Sequence, residues 1–584
     1  MCRRVLTASF MAAASCAVCA AAPPSTPVVL ISIDTLRADR LSAYGYRKIR
    51  TPHIDSFAAQ GTLFTEVSSQ IPLTLPSHTS LFTSTYPFEN RIEENAERVP
   101  PGVVTLASVL RSHGYKTAAF VGSAMLDRRL GLDRGFDFYD SPFNAPPGRL
   151  KNPYAVRVRR DGALVVRAAM QWLRAHKGQS VFLFVHLFDL HSPYVLPPGF
   201  AHKSGISAYD AALEYEDHVT GEFQRELAQD DWWSRALVVL LSDHGESLGD
   251  HGESSHGYFV YQSTLRVPVI LHWPAGTHGY TPQATEPAGL IDVAPTILDF
   301  LRISAPPSFE GASLLKAEEP QRAVYSESMY THDAFGWAPL RAVRLGQYKY
   351  IEAPKPELYD LQRDPQEHTN LLRTNPSEAG ALRRRLGELF ARYSAQPAIP
   401  GNLSRKTRDL LGSLGYVGSG PRAGIGSSGR DPKDGLAEYS LYENGLAALY
   451  NKQSGAAITL FHRVLLRDPR NSLARCNLGD AYLRLNRVND ALQQWNAVLA
   501  HDSTYAPAAE AIAEVWFARQ NYAKARDYFR KAAAAAPDDY EAQFGLGIAE
   551  ERLGLPREAR GHLQAACRLE PDSTACQPVR QTVK

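Results

Sequence analysis

Between residues 27 and 400 the apolar positions gather in short unbroken runs, each closed by polar or turn-forming residues. VVLISIDTLRADRL opens with five apolar residues in its first six, reaches Asp34 and then turns polar. A run without alternation is a strand covered on both faces, as in a parallel sheet between helices. FLFVHLF and ALVVLLSDHGE repeat the form, the second ending in Ser242, Asp243, His244 and Gly245. VTLASVLRSHGYKTAAFVG reads as helix, turn and strand. Two distant strands thus end in metal-type ligands and should open on one edge of one sheet, where sites of open α/β sheets assemble. The plainer alternative, that Asp34 and Asp243 only cap turns or helices, leaves the coincidence of two strand ends unexplained.

The last third of the chain follows another period. Gly445, Gly479, Ala513 and Gly547 are 34 residues apart, and Ala457, Ala491, Ala525 and Ala559 keep the interval, as do Phe461, Trp495, Phe529 and Leu563. The prolines Pro469, Pro537 and Pro571 agree, with Ser503 in place of the second. This resembles the tetratricopeptide repeat and predicts four repeats over 438–573, an all-α solenoid in which small residues let paired helices approach and bulky ones fill between them. Such arrays imply a protein or peptide partner on a concave face. Residues 401–436 contain GYVGSGPRAGIGSSGRDPKDG, a flexible connector by composition.

At 584 residues the chain exceeds what one core supports, and 44% hydrophobic with 21% charged residues is ordinary folded protein. Arg3 and Arg4 precede an Ala-rich run ending in small residues, so residues 1–22 read as a cleavable signal peptide, with no transmembrane span after its removal and a periplasmic or extracellular destination. A lipoprotein is the weaker alternative, since neither Cys16 nor Cys19 has a leucine three residues earlier. Without Arg3 and Arg4, 61 basic residues face 61 acidic ones, which gives nucleic acid no electrostatic footprint. Cys476, Cys567 and Cys576 remain; the last two could close a small terminal loop, or stay buried thiols.

Residues 69–87, SQIPLTLPSHTSLFTSTYP, place Thr74 two residues before a proline and His78 two after it. Together with IDTLRADRLSAYG, HLFDLHSPY, SDHGESLGDHGESSHG, LRVPVIL, LIDVAPTILDFL and ELYDLQRDPQEHTNL, in this order, the stretch resembles the sulfatase-type domain of the alkaline phosphatase superfamily over 27–395. The resemblance implies an α/β fold, a mixed sheet flanked by helices with a small C-terminal subdomain. It also implies a divalent metal held by Asp34, Asp243 and His244 with Thr74, and the imidazole beside carboxylates favours Zn²⁺ or Mn²⁺ over Ca²⁺ or Mg²⁺. Many sulfatases have a second aspartate where Thr35 stands and an asparagine where His244 stands.

In the family, a cysteine or serine at the Thr74 position is oxidised to formylglycine, and an arginine stands at the His78 position. Threonine would give a ketone, so no formylglycine is expected. The family's Gly-Lys-Trp-His segment is absent too, replaced by VGSAMLDRRLG. A threonine nucleophile resembles instead the nucleotide pyrophosphatases and phosphodiesterases and the phosphoethanolamine transferases, where a metal-activated hydroxyl attacks phosphorus. Asn95, 21 residues past Thr74, matches an asparagine that contacts a phosphoryl oxygen there, although an ordinary turn residue would read the same. His186, Asp189 and His191, with His251 and His256, complete the polar candidates; Asp189, His191 and His256 could hold substrate oxygens or a second metal. The expectation is therefore a metal-dependent phosphoesterase or phosphotransferase acting through Thr74, with His78, Asn95, His191 and His256 around it. The alternatives are a sulfuric ester hydrolase and a non-catalytic scaffold acting through its repeats.

Overall fold

A computed structural model describes residues 26–95, 97–143, 159–200, 205–277, 280–316, 322–392 and 429–569. The signal segment and most of the connector lie outside them.

The unbroken apolar runs form the middle of a nine-stranded mixed sheet. Its first strands are β1 (Val28–Ile33), β2 (Gly61–Ser68), β3 (Lys116–Val121), β4 (Phe138–Asp140) and β5 (Val181–Leu187). They are followed by β6 (Leu237–Leu241), β7 (Arg266–His272), β8 (Gln283–Ala284) and β9 (Ala288–Gly289). The order is β4-β3-β5-β1-β6-β7-β2-β8, with β9 also on β2. β1 lies between β5 and β6 and is parallel to both. Every residue of these three strands is buried, because one apolar core fills each side of the sheet. Sequence-distant strands are therefore spatial neighbours, and their polar C-terminal residues emerge about 5 Å apart.

A second, antiparallel sheet of four strands, β10 (Val324–Ser328), β11 (Leu340–Leu345), β12 (Tyr348–Glu352) and β13 (Glu357–Asp360), packs against the helix Pro376–Ala391. This is the small C-terminal subdomain.

Eight helices from Pro432 to Leu569 make four antiparallel pairs. The 34-residue columns meet in space: a Cβ on Gly445 would stand 2.7 Å from Phe461, one on Gly479 2.4 Å from Trp495, and one on Gly547 2.8 Å from Leu563. The four column alanines, Ala457, Ala491, Ala525 and Ala559, are fully buried. The first repeat helix starts at Pro432, so residues 432–436 belong to it and not to the connector. Asp431 caps it by accepting from Lys433 N, with proline at N1, where no amide is needed. This helix packs on the sheet-bearing part of the chain: Tyr439 lies 4.2 Å from Tyr258 between ring centroids, and Trp337 fills the space beside Gly435. No helix among the described residues is long and apolar enough to cross a membrane.

Candidate active site at the carboxyl edge of the sheet

Asp34 follows β1 directly, His186 is the penultimate residue of β5, opposite Ser32, and Asp243 and His244 follow β6. Adjacent parallel strands thus deliver two carboxylates and two imidazoles to one place. Thr35 is left-handed (φ 57°), an uncommon conformation for a β-branched residue, at a cost of roughly 1–3 kcal/mol. It is held there by its hydroxyl on Leu190 O (3.1 Å) and by Tyr209, whose hydroxyl donates to Thr35 O (2.8 Å). The turn carries the chain away from β1 immediately after Asp34, and the Thr35 side chain is engaged elsewhere than the carboxylate cluster.

Thr74 is the first residue of the buried helix Thr74–Thr83. Pro76 is tolerated in that first turn because its amide would be unpaired anyway. Asn95 Oδ1 accepts the neighbouring orphan amide, Leu75 N, at 2.8 Å, so Asn95 holds the start of the helix in place. Its Nδ2 is buried without a hydrogen-bond partner. The Thr74 hydroxyl lies 3.4 Å from both Asp34 Oδ2 and His244 Nε2. It also sits at the positive end of a helix, which favours negative charge on this oxygen or on a group it attacks.

Donor atoms of Asp34, Asp243 and His244 all lie within 4.8 Å of one another. Asp34 Oδ1 and Asp243 Oδ2 are buried with no hydrogen-bond partner. Burial pushes both carboxyls up to about 7, and for Asp243 the neighbouring Asp34 charge adds to it. Two buried, under-satisfied carboxylates and an imidazole are a donor set that a divalent cation completes, so the residues present fit a metal. His244 donates from Nδ1 to Gly245 O at 2.9 Å, leaving Nε2 with its lone pair on the cluster side.

His186 approaches Asp34 Oδ2 with Nε2 at 3.2 Å, and with His78 and Asp243 forms a second group of metal-type donors. His78 donates from Nδ1 to Thr74 O (2.7 Å), and its Nε2 lies 2.9 Å from Ser32 Oγ. With both nitrogens engaged it holds the backbone at Thr74. Burial lowers His78, His186 and His244 to about 4, so all three are neutral imidazoles at pH 7.

His256 lies 4.4 Å from His244 and 5.3 Å from His191 between ring centroids, so the two rings lie side by side next to the cluster. Glu246 orients His256 through Nδ1 at 3.1 Å, and His191 stacks on Phe188. Burial lowers both rings to about 3. Asp189 does not join them: its Oδ2 accepts Gly162 N at 2.8 Å, at the start of the helix Gly162–Ala175. The proposed second-metal set Asp189, His191 and His256 is therefore not assembled, because the carboxylate is spent on that helix. His251 stacks on Tyr261 and bonds Gln366 O at the surface, away from these groups.

One residue of this edge, Arg159, was not singled out from the sequence, and His186 was named there without its partner. His186 sits inside an apolar run, and only the β1–β5 register shows that it faces Asp34. Arg159 follows a stretch without periodicity, and its guanidinium reaches the backbone of Phe188 and His191.

Residues 26–303 match the sulfatase family model, 249–394 the N-sulphoglucosamine sulphohydrolase C-terminal model, and 442–507 and 508–574 the tetratricopeptide repeat model. The chain thus carries a sulfatase domain of the alkaline phosphatase superfamily followed by tetratricopeptide repeats, and it is a hydrolase of that superfamily. It is 24% identical over 484 residues to an N-acetylgalactosamine-6-O-sulfatase of Bacteroides thetaiotaomicron, covering 62% of this chain and 92% of that one. An ulvan-active sulfatase of Formosa agariphila is 24% identical, covering 64% and 83%. The phosphonate monoester hydrolase of Agrobacterium radiobacter superposes with a TM-score of 0.52 at 19% identity, over 63% of this chain and 96% of that one, which is a likeness of fold.

Proposed function

We propose that the protein is an exported, metal-dependent phosphoesterase in which Thr74 is the nucleophile. The observation that carries this is the Thr74 hydroxyl at a helix N-terminus, 3.4 Å from a carboxylate and an imidazole that belong to a metal-type cluster. Asp34, Asp243 and His244 would hold the cation, Zn²⁺ or Mn²⁺ by the mixed oxygen and nitrogen donors. When bound, it supplies positive charge that lowers the proton affinity of a nearby hydroxyl.

The Thr74 hydroxyl lies 3.4 Å from Asp34 Oδ2, which can take its proton, while the His244 Nε2 lone pair is left for the cation. The Thr74 oxygen attacks phosphorus, the bond from phosphorus to the leaving alkoxide breaks, and the alkoxide takes a proton from water. The phosphothreonine then reacts with a second water, which restores the hydroxyl and releases phosphate. Asn95, fixed by Leu75 N, presents a buried N–H next to the nucleophile, suited to an oxygen on which charge builds up. His191 and His256 line the pocket on the substrate side.

Threonine cannot become the aldehyde of ordinary sulfatase chemistry, which favours phosphorus. The sulfatase names of the relatives favour the second reading, a sulfate ester cleaved directly by Thr74. The metal-replete full chain assayed in parallel on aryl phosphate, phosphodiester, phosphonate monoester and aryl sulfate separates the two: turnover of the sulfate alone would sink the phosphoesterase reading. Cys567 is disulfide-bonded, which suits an oxidising compartment and supports export. Fractionation for a processed, periplasmic or secreted form tests that part. The repeats would bind a protein or peptide partner.

A further inference from the structure

Arg159 carries a positive charge at this edge of the sheet that neither the metal-type cluster nor the pocket histidines account for. It pairs by an isolated bridge with Ser123, just past the C-terminal end of β3, one strand out from β5. One arm of its guanidinium is fixed: Nη2 donates to Phe188 O at 3.1 Å and to His191 O at 3.3 Å, and the group lies over the Phe188 ring, 5.6 Å from its centroid. The other arm is different. Nη1 is buried with no hydrogen-bond partner, and the carboxylates of Asp189, Asp34 and Asp161 act on the group through space.

Backbone carbonyls orient a guanidinium without neutralising it. A partly buried cation whose hydrogen bonds go to neutral acceptors, offset only by carboxylates acting through space, favours an anion on its unpaired arm. Its charge is felt at Asp34 and at His191. Phe188 stacks on His191, whose ring faces His256, so the fixed arm is tied to the wall of the substrate pocket. A guanidinium also offers parallel N–H donors that match tetrahedral oxyanions.

We propose that Arg159 is a substrate-binding residue whose free Nη1 arm receives a non-bridging oxygen of the anionic ester group, phosphoryl or sulfuryl. This rests on the proposed location of the reaction at Thr74, though not on which ester is cleaved. No bond to Arg159 is made or broken; it holds the anion while Thr74 attacks.

Binding can be read without turnover. In full-length protein carrying Thr74→Ala, inorganic phosphate and inorganic sulfate are titrated by calorimetry, with and without Arg159→Gln. The expected result is phosphate or sulfate affinity at least 10-fold weaker with Arg159→Gln and about 3-fold weaker with Arg159→Lys, which keeps charge but loses the fork. In the otherwise native chain, Arg159→Gln should raise KM at least as strongly as it lowers kcat, and Arg159→Lys should restore most of the difference. Equal anion affinity in the Gln variant overturns the proposal, as does failure of the Thr74→Ala protein to bind either anion. Should the Gln variant not fold by circular dichroism, the Lys variant decides, and unchanged affinity there overturns it. If anion binding depends on Arg159 while no ester is turned over, the reaction assignment fails and the Arg159 site stands.

Discussion

The carboxyl edge of the large sheet and the interior of the repeats are both buried, but they are filled on opposite principles. Along the repeat axis every landmark is a steric match, a small residue on one helix against a bulky one on its partner, as at Gly479 and Trp495. At the sheet edge, buried polar atoms are left without hydrogen bonds: Asp34 Oδ1, Asp243 Oδ2, His186 Nδ1 and Asn95 Nδ2. The first arrangement lowers the free energy of the fold. The second raises it, and under the proposed function it persists because the unmade bonds are available to a metal and a substrate. Substitutions should therefore separate cleanly into those that cost stability and those that cost activity.

The largest separation is expected at Thr74. Thr74→Ala removes the attacking oxygen and should lower kcat by about 10³-fold or more while metal content and melting temperature stay near the parent's. Thr74→Ser keeps the hydroxyl and should retain part of the turnover. Parent-like activity in the alanine variant would place the nucleophile elsewhere.

Trp495→Ala is the mirror case. Its indole is fully buried against Gly479 and donates to Cys476 O at 3.1 Å, so truncation leaves a cavity and should cost about 3–5 kcal/mol within the array. Because each repeat contacts its neighbours, urea unfolding followed by repeat helicity should shift while kcat per folded molecule does not. A matching fall in kcat would show that the array and the sheet edge act as one unit.

How far this contrast could be read before any coordinates depends on the range of the signal. The strand ends at Asp34 and Asp243, the helix start at Thr74 and the repeat columns are written in local periodicity or at a fixed interval. The task of Asp189 is not: nothing near it indicates that Gly162 N, 27 residues earlier, would take its carboxylate. Arg159 reaches the site only through main-chain carbonyls, which have no signature in side-chain pattern. The partners of a site depend on tertiary register, and register is where single-sequence reading is weakest.

Asp34→Asn tests the claim that the site is held at a cost. In metal-free protein it removes a buried charge whose neighbour, Asp243, carries the same sign, so stability should rise by roughly 1–3 kcal/mol. Added Mn²⁺ or Zn²⁺ should then raise the melting temperature of the parent and leave the variant nearly unchanged, since only a competent site gains binding energy. A variant less stable than the metal-free parent would contradict this view of the cluster.

The smallest effect concerns the junction, where the two principles meet. The loop that carries His256 continues into Tyr258, which packs at a tilt against Tyr439 of the first repeat helix. From the same helix Glu443 lies 3.5 Å from the Tyr330 hydroxyl and close enough to Glu246, the partner of His256, to feel its charge. Part of the Glu443 side chain meets solvent, but its carboxyl is desolvated, and this, with Glu246, pushes it up to about 8 from 4.5. An acid whose folded pKa is raised holds its proton in the native state while the unfolded chain has lost it. Stability then falls as pH rises from about 4.5, and the loss levels off above about 8. Glu443→Gln has no proton to lose, so its melting temperature should equal the parent's near pH 4.5 and exceed it by a growing margin up to pH 8.5. A margin independent of pH would mean that Glu443 is ionised in the fold and that the repeat helix meets the catalytic loop through solvent.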